Sequence, residues 1–236
     1  MRRWLQRQRG QAAPVNAAGA GKSDWAALQL EARGITDPHV LAAMRAVPRE
    51  RFVPADLEPA AYDDGALPIG RGQTISQPYI VARMTQALAL NEWTSRNPGV
   101  RARVLDVGTG SGYQAAVLAE MGAEVTSIEV KQELADRARQ LLAELGYEVT
   151  TFVGDGSVGS PQHGPFAAIV VAAAAPEVPL PLVEQLLPDG RLVIPIGTLT
   201  EQVITLVRPR ADGYTREPVE AAVFVPLLGE HGFAGH

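Results

Sequence analysis

The stretch VLDVGTGSG, residues 104–112, decides how the rest of the chain is read. VLDV is a short apolar run, broken only by Asp106, of the kind that forms a strand buried on both faces. Gly108, Gly110 and Gly112 follow, and a helical pattern over 112–121 comes next. A strand that passes through glycines into a helix brings bare backbone and free helix N–H groups against a ligand. A dinucleotide turn spaces its glycines G-x-G-x-x-G. Here the spacing is G-x-G-x-G, with Tyr113 where the third glycine would stand. Asp106 falls inside the expected turn, where a carboxylate repels a pyrophosphate but accepts hydrogen bonds from an ammonium group. Both features favour a ligand with a cationic amino-acid end over a nicotinamide dinucleotide.

Short apolar runs alternate with helical patterns downstream of the turn. Strands are expected at 124–130, 149–154, 167–173, 190–197, 202–209 and 219–227, with helices at 131–145 and 178–187. Together with 104–107 this makes a doubly wound, Rossmann-like α/β fold with a seven-stranded, mostly parallel sheet. Asp212-Gly213 joins the last two strands without room for a helix, so that end is expected to be an antiparallel hairpin. Upstream, helices are expected at 24–33, from Asp37-Pro38 to Val47, and from Pro78 to Leu90. Residues 48–72, with four prolines, read as a long functional loop. The expected organisation is a flexible tail at 1–22 and one domain at 23–236. That domain comprises an N-terminal helical addition (23–98) and the cofactor-binding sheet (99–236).

Two more acids fall at expected strand ends. Glu129 stands 21 residues after Gly108, where a carboxylate can accept both hydroxyls of a ribose. Asp155 ends the next strand and could accept from an adenine amino group, with Gly156 letting the base approach. Each acid alone is weak testimony, and Asp155 taken singly reads equally well as a turn or capping residue. Three such features on consecutive strands line the carboxyl edge of the sheet, where open α/β sheets bind ligands. Ammonium and carboxylate, ribose and adenine are the parts of S-adenosylmethionine.

Elsewhere, RGQTISQP (71–78) gathers small hydroxyl and amide side chains between a proline-rich segment and an apolar helix. Its simplest reading is a helix start capped by Ser76 ahead of Pro78. Its other reading is a positioning surface for a ligand, with Arg71 either attracting a carboxylate or merely solvated.

Several longer phrases carry a family resemblance. They are VPRERFVP (47–54), AYDDGALPIGRGQTISQP (61–78), the glycine turn with its helix, GDG (154–156), the run from AAAAPEVP to GRLVIPIG (172–197), and FVPL (224–227). With these the chain, from about residue 28 to 228, resembles the protein-L-isoaspartate O-methyltransferases. The resemblance implies a class I methyltransferase fold and S-adenosyl-L-methionine as cofactor. It also implies methylation of the free carboxyl of L-isoaspartyl residues in damaged proteins and peptides, starting their repair through a succinimide. It places Ser76 at the catalytic position and Ile75, Ser76, Asp106, Gly108, Gly110, Glu129, Val130, Asp155 and Gly156 against the cofactor. It places Gln73, Thr74, Ser76 and Val225 against the substrate peptide. One departure stands out: the family's usual P-F-D-A-I reads PFAAI here, with Ala167 in place of the acid. That change is expected to touch strand packing more than catalysis.

Composition sets outer limits. The chain has 236 residues, 46% hydrophobic and 20% charged, with a formal net charge of −5. That balance argues against a broad nucleic-acid footprint. The absence of cysteine excludes disulfides, thiolate metal sites and a cysteine nucleophile and suits a reducing cytoplasm; a monomer is expected separately. The four histidines are scattered without metal-ligand spacing, and no metal is expected. No apolar run approaches the roughly 20 residues of a membrane span. The first nine residues carry four arginines, but a polar stretch follows them where a secretory signal would be apolar. Three alternatives remain open from sequence: a methyltransferase with another substrate, a member that binds without turnover, and, more distantly, a nicotinamide enzyme.

Overall fold

The structure, a computed structural model, describes residues 24–233; the expected flexible tail, 1–22, lies outside them. The chain begins with helix α1 (Asp24–Gln29), and a 3₁₀ turn at Glu31–Arg33 completes the pattern expected to be one helix. Gly34 ends that turn in the left-handed region, at φ 89°. Helix α2 (Pro38–Ala46) starts as the sequence predicts, with Asp37 accepting from the His39 and Val40 amides and Pro38 in the first turn.

The segment expected to be a long loop is ordered throughout. It holds 3₁₀ turns at Arg49–Phe52 and Ala55–Ala60, then a hairpin of β1 (Leu67–Gly70) and β2 (Gln73–Ile75). Strands of four and three residues are too short to show a period of two, so no residue pattern marks them. The helix expected to run through Leu90 is split. Helix α3 (Pro78–Leu88) stops where Ala89 turns left-handed at φ 50°, and α4 (Leu90–Arg96) follows. The N-cap of α3 is Gln77, with no side-chain capping bond, so Ser76 is not a cap.

The remaining elements are β3 (Arg103–Val107), α5 (Tyr113–Glu120), β4 (Glu124–Glu129), α6 (Gln132–Glu144), β5 (Val149–Val153), β6 (Phe166–Val171), α7 (Leu180–Glu184), β7 (Leu186–Gly197), β8 (Gln202–Arg210) and β9 (Gly213–Ala222). They build one seven-stranded sheet in the order β5-β4-β3-β6-β7-β8-β9. Pairing is parallel from β5 to β7 and antiparallel at β7–β8 and β8–β9. The last strand is Gly213–Ala222, displaced from the expected 219–227, because the Asp212-Gly213 turn pairs Arg210 with Gly213 immediately. Likewise α7 is shorter than expected, since β7 already begins at Leu186.

Strand residues alternate between two apolar clusters, one on each face. Val104, Val125, Ala168, Val170 and Val193 join the cluster that includes Trp25, Met44, Met84 and Leu118. Leu105, Val107, Ile169, Val171 and Ile194 join the cluster that includes Leu182 of α7. Ala167 belongs to the first cluster and is buried, so the missing acid leaves an apolar site intact. No helix among the described residues is long and apolar enough to cross a membrane.

The N-terminal addition is seated by polar side chains. The Gln86 carboxamide oxygen accepts the Thr36 and Asp37 amides at 2.7 and 2.9 Å. Asp37 accepts from Asn91 of α4 at 2.7 Å in addition to capping α2. Replacing Asp37 by alanine should therefore cost about 1–2 kcal/mol in urea unfolding, with turnover per folded molecule unchanged.

Candidate active site

The chain reverses direction of growth around β3: β4 lies on one side of it and β6 on the other. Open α/β sheets bind ligands beyond the carboxyl ends of the strands at such a switch point. A cleft opens there, lined by Val107, Gly108, Ile128, Glu129 and Ala172 from the strand ends. The glycine turn is folded back onto β4. The Gly108 and Thr109 amides both donate to the Ile128 carbonyl, at 2.8 and 3.2 Å. The Gly110 amide donates to the Glu129 carboxylate at 2.9 Å, and the Lys131 amide donates to its other oxygen at 3.1 Å. Gly108 and Gly110 hold φ 91° and 55°, which other residues adopt only under strain.

The β1–β2 hairpin faces this turn. A Cβ on Gly110 would stand 3.5 Å from the Ile69 Cδ1. Three contacts bind the hairpin to the start of α6. Lys131 Nζ donates to the Arg71 carbonyl at 2.6 Å, Arg137 to the Ile69 carbonyl at 3.0 Å, and Arg71 pairs with Glu133. Arg71 is thus engaged on the outer surface. Its neighbours Gln73, Thr74, Ile75 and Ser76 line the cleft, and the Ser76 carbonyl accepts from Arg49 at 2.7 Å. The Ser76 hydroxyl has no hydrogen-bond partner among the described residues. The third wall is the chain after β9, where Val223, Phe224 and Val225 reach the cleft. The Ala174 amide donates to the Val225 carbonyl at 2.8 Å and the Leu227 amide to the Ala174 carbonyl at 2.7 Å.

Of the residues singled out in the sequence, the cleft gathers Gln73, Thr74, Ile75 and Ser76 from the hairpin. It also gathers Gly108, Gly110, Glu129, Val130, Gly156 and Val225. Asp106 and Asp155 do not line it. Asp106 sits within β3 and is completely buried, not inside the turn. Ser127, its partner in the β3–β4 register, donates to one Asp106 oxygen at 2.7 Å and is itself bonded to the Thr109 hydroxyl at 2.6 Å. The other Asp106 oxygen, Oδ1, has no partner among the described residues. Asp155 caps a 3₁₀ turn: one oxygen accepts from the Ser157 amide and hydroxyl, the other from the Glu230 amide. These bonds, Ser157's above all, hold its carboxyl below the ordinary value against the upward pull of partial burial. The turn reading of Asp155 therefore holds in this structure. Gly156 is required by packing, since a Cβ there would stand 2.4 Å from Val107 Cγ1.

Lys131 and Gln114 line the cleft without having been foreseen. Gln114 is buried and donates to Thr85 at 2.9 Å. Lys131 follows Glu129-Val130 at a helix start and reads in sequence as an ordinary surface charge.

Burial, with the Glu129 charge adding to it, raises the Asp106 carboxyl to about 7 from its ordinary 3.8, against the lowering effect of the Ser127 hydrogen bond. The folded state thus keeps a proton that an unfolded aspartate has lost. Stability owed to Asp106 is greatest at and below about pH 4 and declines as pH rises toward 7. Asp106→Asn cannot titrate, so it should remove that decline in urea-unfolding free energies measured from pH 4 to 7. A pH slope identical to the parent's would exclude Asp106 as its source.

Comparison with known proteins gives the family. The sequence profile of the protein-L-isoaspartate(D-aspartate) O-methyltransferase family matches residues 25–232. The protein-L-isoaspartate O-methyltransferase of Methanoculleus marisnigri is 50% identical over 208 residues, covering 88% of this chain and 91% of its own. That of Gloeobacter violaceus is 52% identical over 204 residues, covering 86% and 96%. A solved protein-L-isoaspartate O-methyltransferase superposes with a TM-score of 0.76 at 26% identity, over 89% of this chain and 67% of the other. A Plasmodium falciparum protein assigned to the same family, solved with S-adenosyl-L-homocysteine, superposes at 0.72 with 25% identity over 88% and 97%. The chain belongs to the protein-L-isoaspartate(D-aspartate) O-methyltransferase family.

Proposed function

We propose that the cleft carries out the family's reaction, methylation of the free carboxyl of L-isoaspartyl residues, with the glycine turn on the cofactor and the 73–76 segment on the substrate. The observation that supports it is their convergence on one cleft, since residues 73–76 and 108–110 are far apart in sequence. The cleft fits S-adenosyl-L-methionine. Gly110 and Glu129 together offer bare backbone beside a carboxylate. Behind it, Asp106 Oδ1, two residues before Gly108, is buried with no hydrogen-bond partner among the described residues. When bound, the cofactor supplies a methyl group on a positively charged sulfur, and its transfer to a carboxylate oxygen leaves a neutral thioether and a methyl ester.

The remaining work falls to residues of this chain. Glu129 accepts ribose hydroxyls while its bond to the Gly110 amide fixes its direction. Ile75, Val130 and Gly156 shape apolar and backbone walls against the cofactor. Asp106 and Asp155 act from behind, Asp106 through its bond to Ser127, and Asp155 by holding the Ser157–Glu230 corner. The isoaspartyl carboxylate is ionised near neutral pH, so no general base is needed and alignment dominates. The Ser76 hydroxyl, free of internal bonds, donates to that carboxylate. Gln73, Thr74 and the Val225 backbone hold the flanking peptide.

The same reading takes residues from 23 onward as one working domain, because a single apolar cluster runs from Trp25 to Leu206. It takes the protein as a monomer acting without nucleic acid, in line with a cleft built from one chain and a net charge of −5. A cysteine-free chain suits the reducing cytoplasm.

The deciding assay offers an isoaspartyl peptide and its normal aspartyl isomer. Methyl transfer should appear with the first alone, followed by methanol as the ester closes to a succinimide. Equal transfer to both isomers would defeat the assignment. Ser76→Ala should lower kcat by about ten- to a hundredfold, with cofactor affinity and melting temperature unchanged. Parental turnover in that variant would remove Ser76 from the chemistry.

A further inference from the structure

Arg49 is fully buried, although it belongs to a short 3₁₀ turn and does not line the cleft. A guanidinium taken out of water is costly, and here Nε and Nη2 are matched while Nη1 has no hydrogen-bond partner among the described residues. Burial lowers its pKa, offset in part by Tyr113, and an arginine still remains charged. Its Nε donates to the Ala61 carbonyl at 2.7 Å and its Nη2 to the Ser76 carbonyl at 2.7 Å. Its guanidinium lies 4.8 Å from the ring centroid of Tyr113. Tyr113 is the first residue of α5, immediately after the glycine turn, and Phe52 of the same 3₁₀ turn packs edge-on against it. One side chain therefore joins three parts of the site: the chain leading into the hairpin, the backbone of Ser76, and the helix behind the glycine turn.

We propose that Arg49 is a positioning residue for methyl transfer, fixing the Ser76 backbone relative to the glycine-turn helix and so the distance between substrate carboxylate and methyl group. This rests on the reading of the 73–76 segment as the substrate side of the cleft. The other end of the hairpin is held independently by Lys131 and Arg137. The glycine turn is held by Ile128 and Glu129 without Arg49. Loss of Arg49 thus frees one end of one wall and spares the cofactor side. Lysine is no full substitute, because a single ammonium cannot span two carbonyls and an aromatic face as a planar fork does.

The test uses full-length Arg49→Met and Arg49→Lys, with Ser76→Ala alongside. Steady-state kinetics on an isoaspartyl peptide, calorimetry with S-adenosyl-L-homocysteine and thermal melting are measured on each. The expected result is a kcat about a hundredfold lower for Arg49→Met, a smaller loss for Arg49→Lys, and an unchanged dissociation constant for S-adenosyl-L-homocysteine. Three results would overturn the proposal: parental kcat in folded Arg49→Met, a rise in KM alone, or loss of folding or cofactor binding in step with activity in both variants. Ser76→Ala separates the two readings. Full turnover there with impaired Arg49→Met discards the Ser76 hydroxyl but keeps Arg49, which acts on the backbone. A loss in Ser76→Ala with none in Arg49→Met does the reverse.

Discussion

The hydrogen bond from the Gly110 amide to the Glu129 carboxylate is the contact on which the cleft depends. It exists because β3 and β4 run parallel with Val107 level with Ile128, so the two chains leave the sheet side by side. The turn after β3 then folds onto the last residues of β4 rather than out into solvent. Glycine makes the fold-back possible, and the carboxylate makes it definite, since an amide donor bonded to a charged acceptor is among the stronger hydrogen bonds available. The cost appears one layer down. Asp106 is completely buried there, and that burial, with a smaller contribution from the Glu129 charge, holds its proton to about neutral pH. The Thr109–Ser127–Asp106 chain of hydrogen bonds lets the buried acid brace the same turn from below.

A glycine turn and an acid at the next strand end suit many ligands and do not select a reaction. Selection comes from what the N-terminal addition carries over the sheet. The hairpin brings small uncharged polar groups above the turn and is fixed at both ends by cations bonded to its backbone. Lys131 and Arg137 hold the Ile69–Arg71 end, and Arg49 holds the Ser76 end. A wall fixed through carbonyls leaves its side chains free for a ligand. The Ser76 hydroxyl, unpartnered among the described residues, is the result. Positively charged groups behind that wall also suit an anionic substrate, and alignment is the main demand of a reaction whose nucleophile is already ionised.

Much of this was legible in the residues. The strand–glycine–helix phrase, the alternation of apolar runs with helical patterns and the Asp212-Gly213 turn gave the parallel sheet with an antiparallel end. Glu129 was found by its distance from Gly108. The misses share one physical cause, which is that local patterns do not record distant partners. Asp106 reads as a turn residue until register places it level with Ser127, inside the sheet. Asp155 does not announce in sequence that the chain near the C-terminus brings the Glu230 amide to it, 75 residues away. Gly156 lines the cleft, and what the residues alone do not show is that Val107 leaves no room for a Cβ there.

By itself the sequence determined the order and type of the larger elements, because backbone preference, turn chemistry and hydrophobic period act over a few residues. It also supplied the glycines and acids of the sheet edge, whose spacing is a local property. Only the tertiary structure decided which acids face the cleft and which brace it from within, that residues 48–75 form turns and a hairpin, and that Arg49 lies behind Ser76. Those outcomes are set by desolvation and by hydrogen bonds between residues tens of positions apart. Such terms take a value only once the chain is packed.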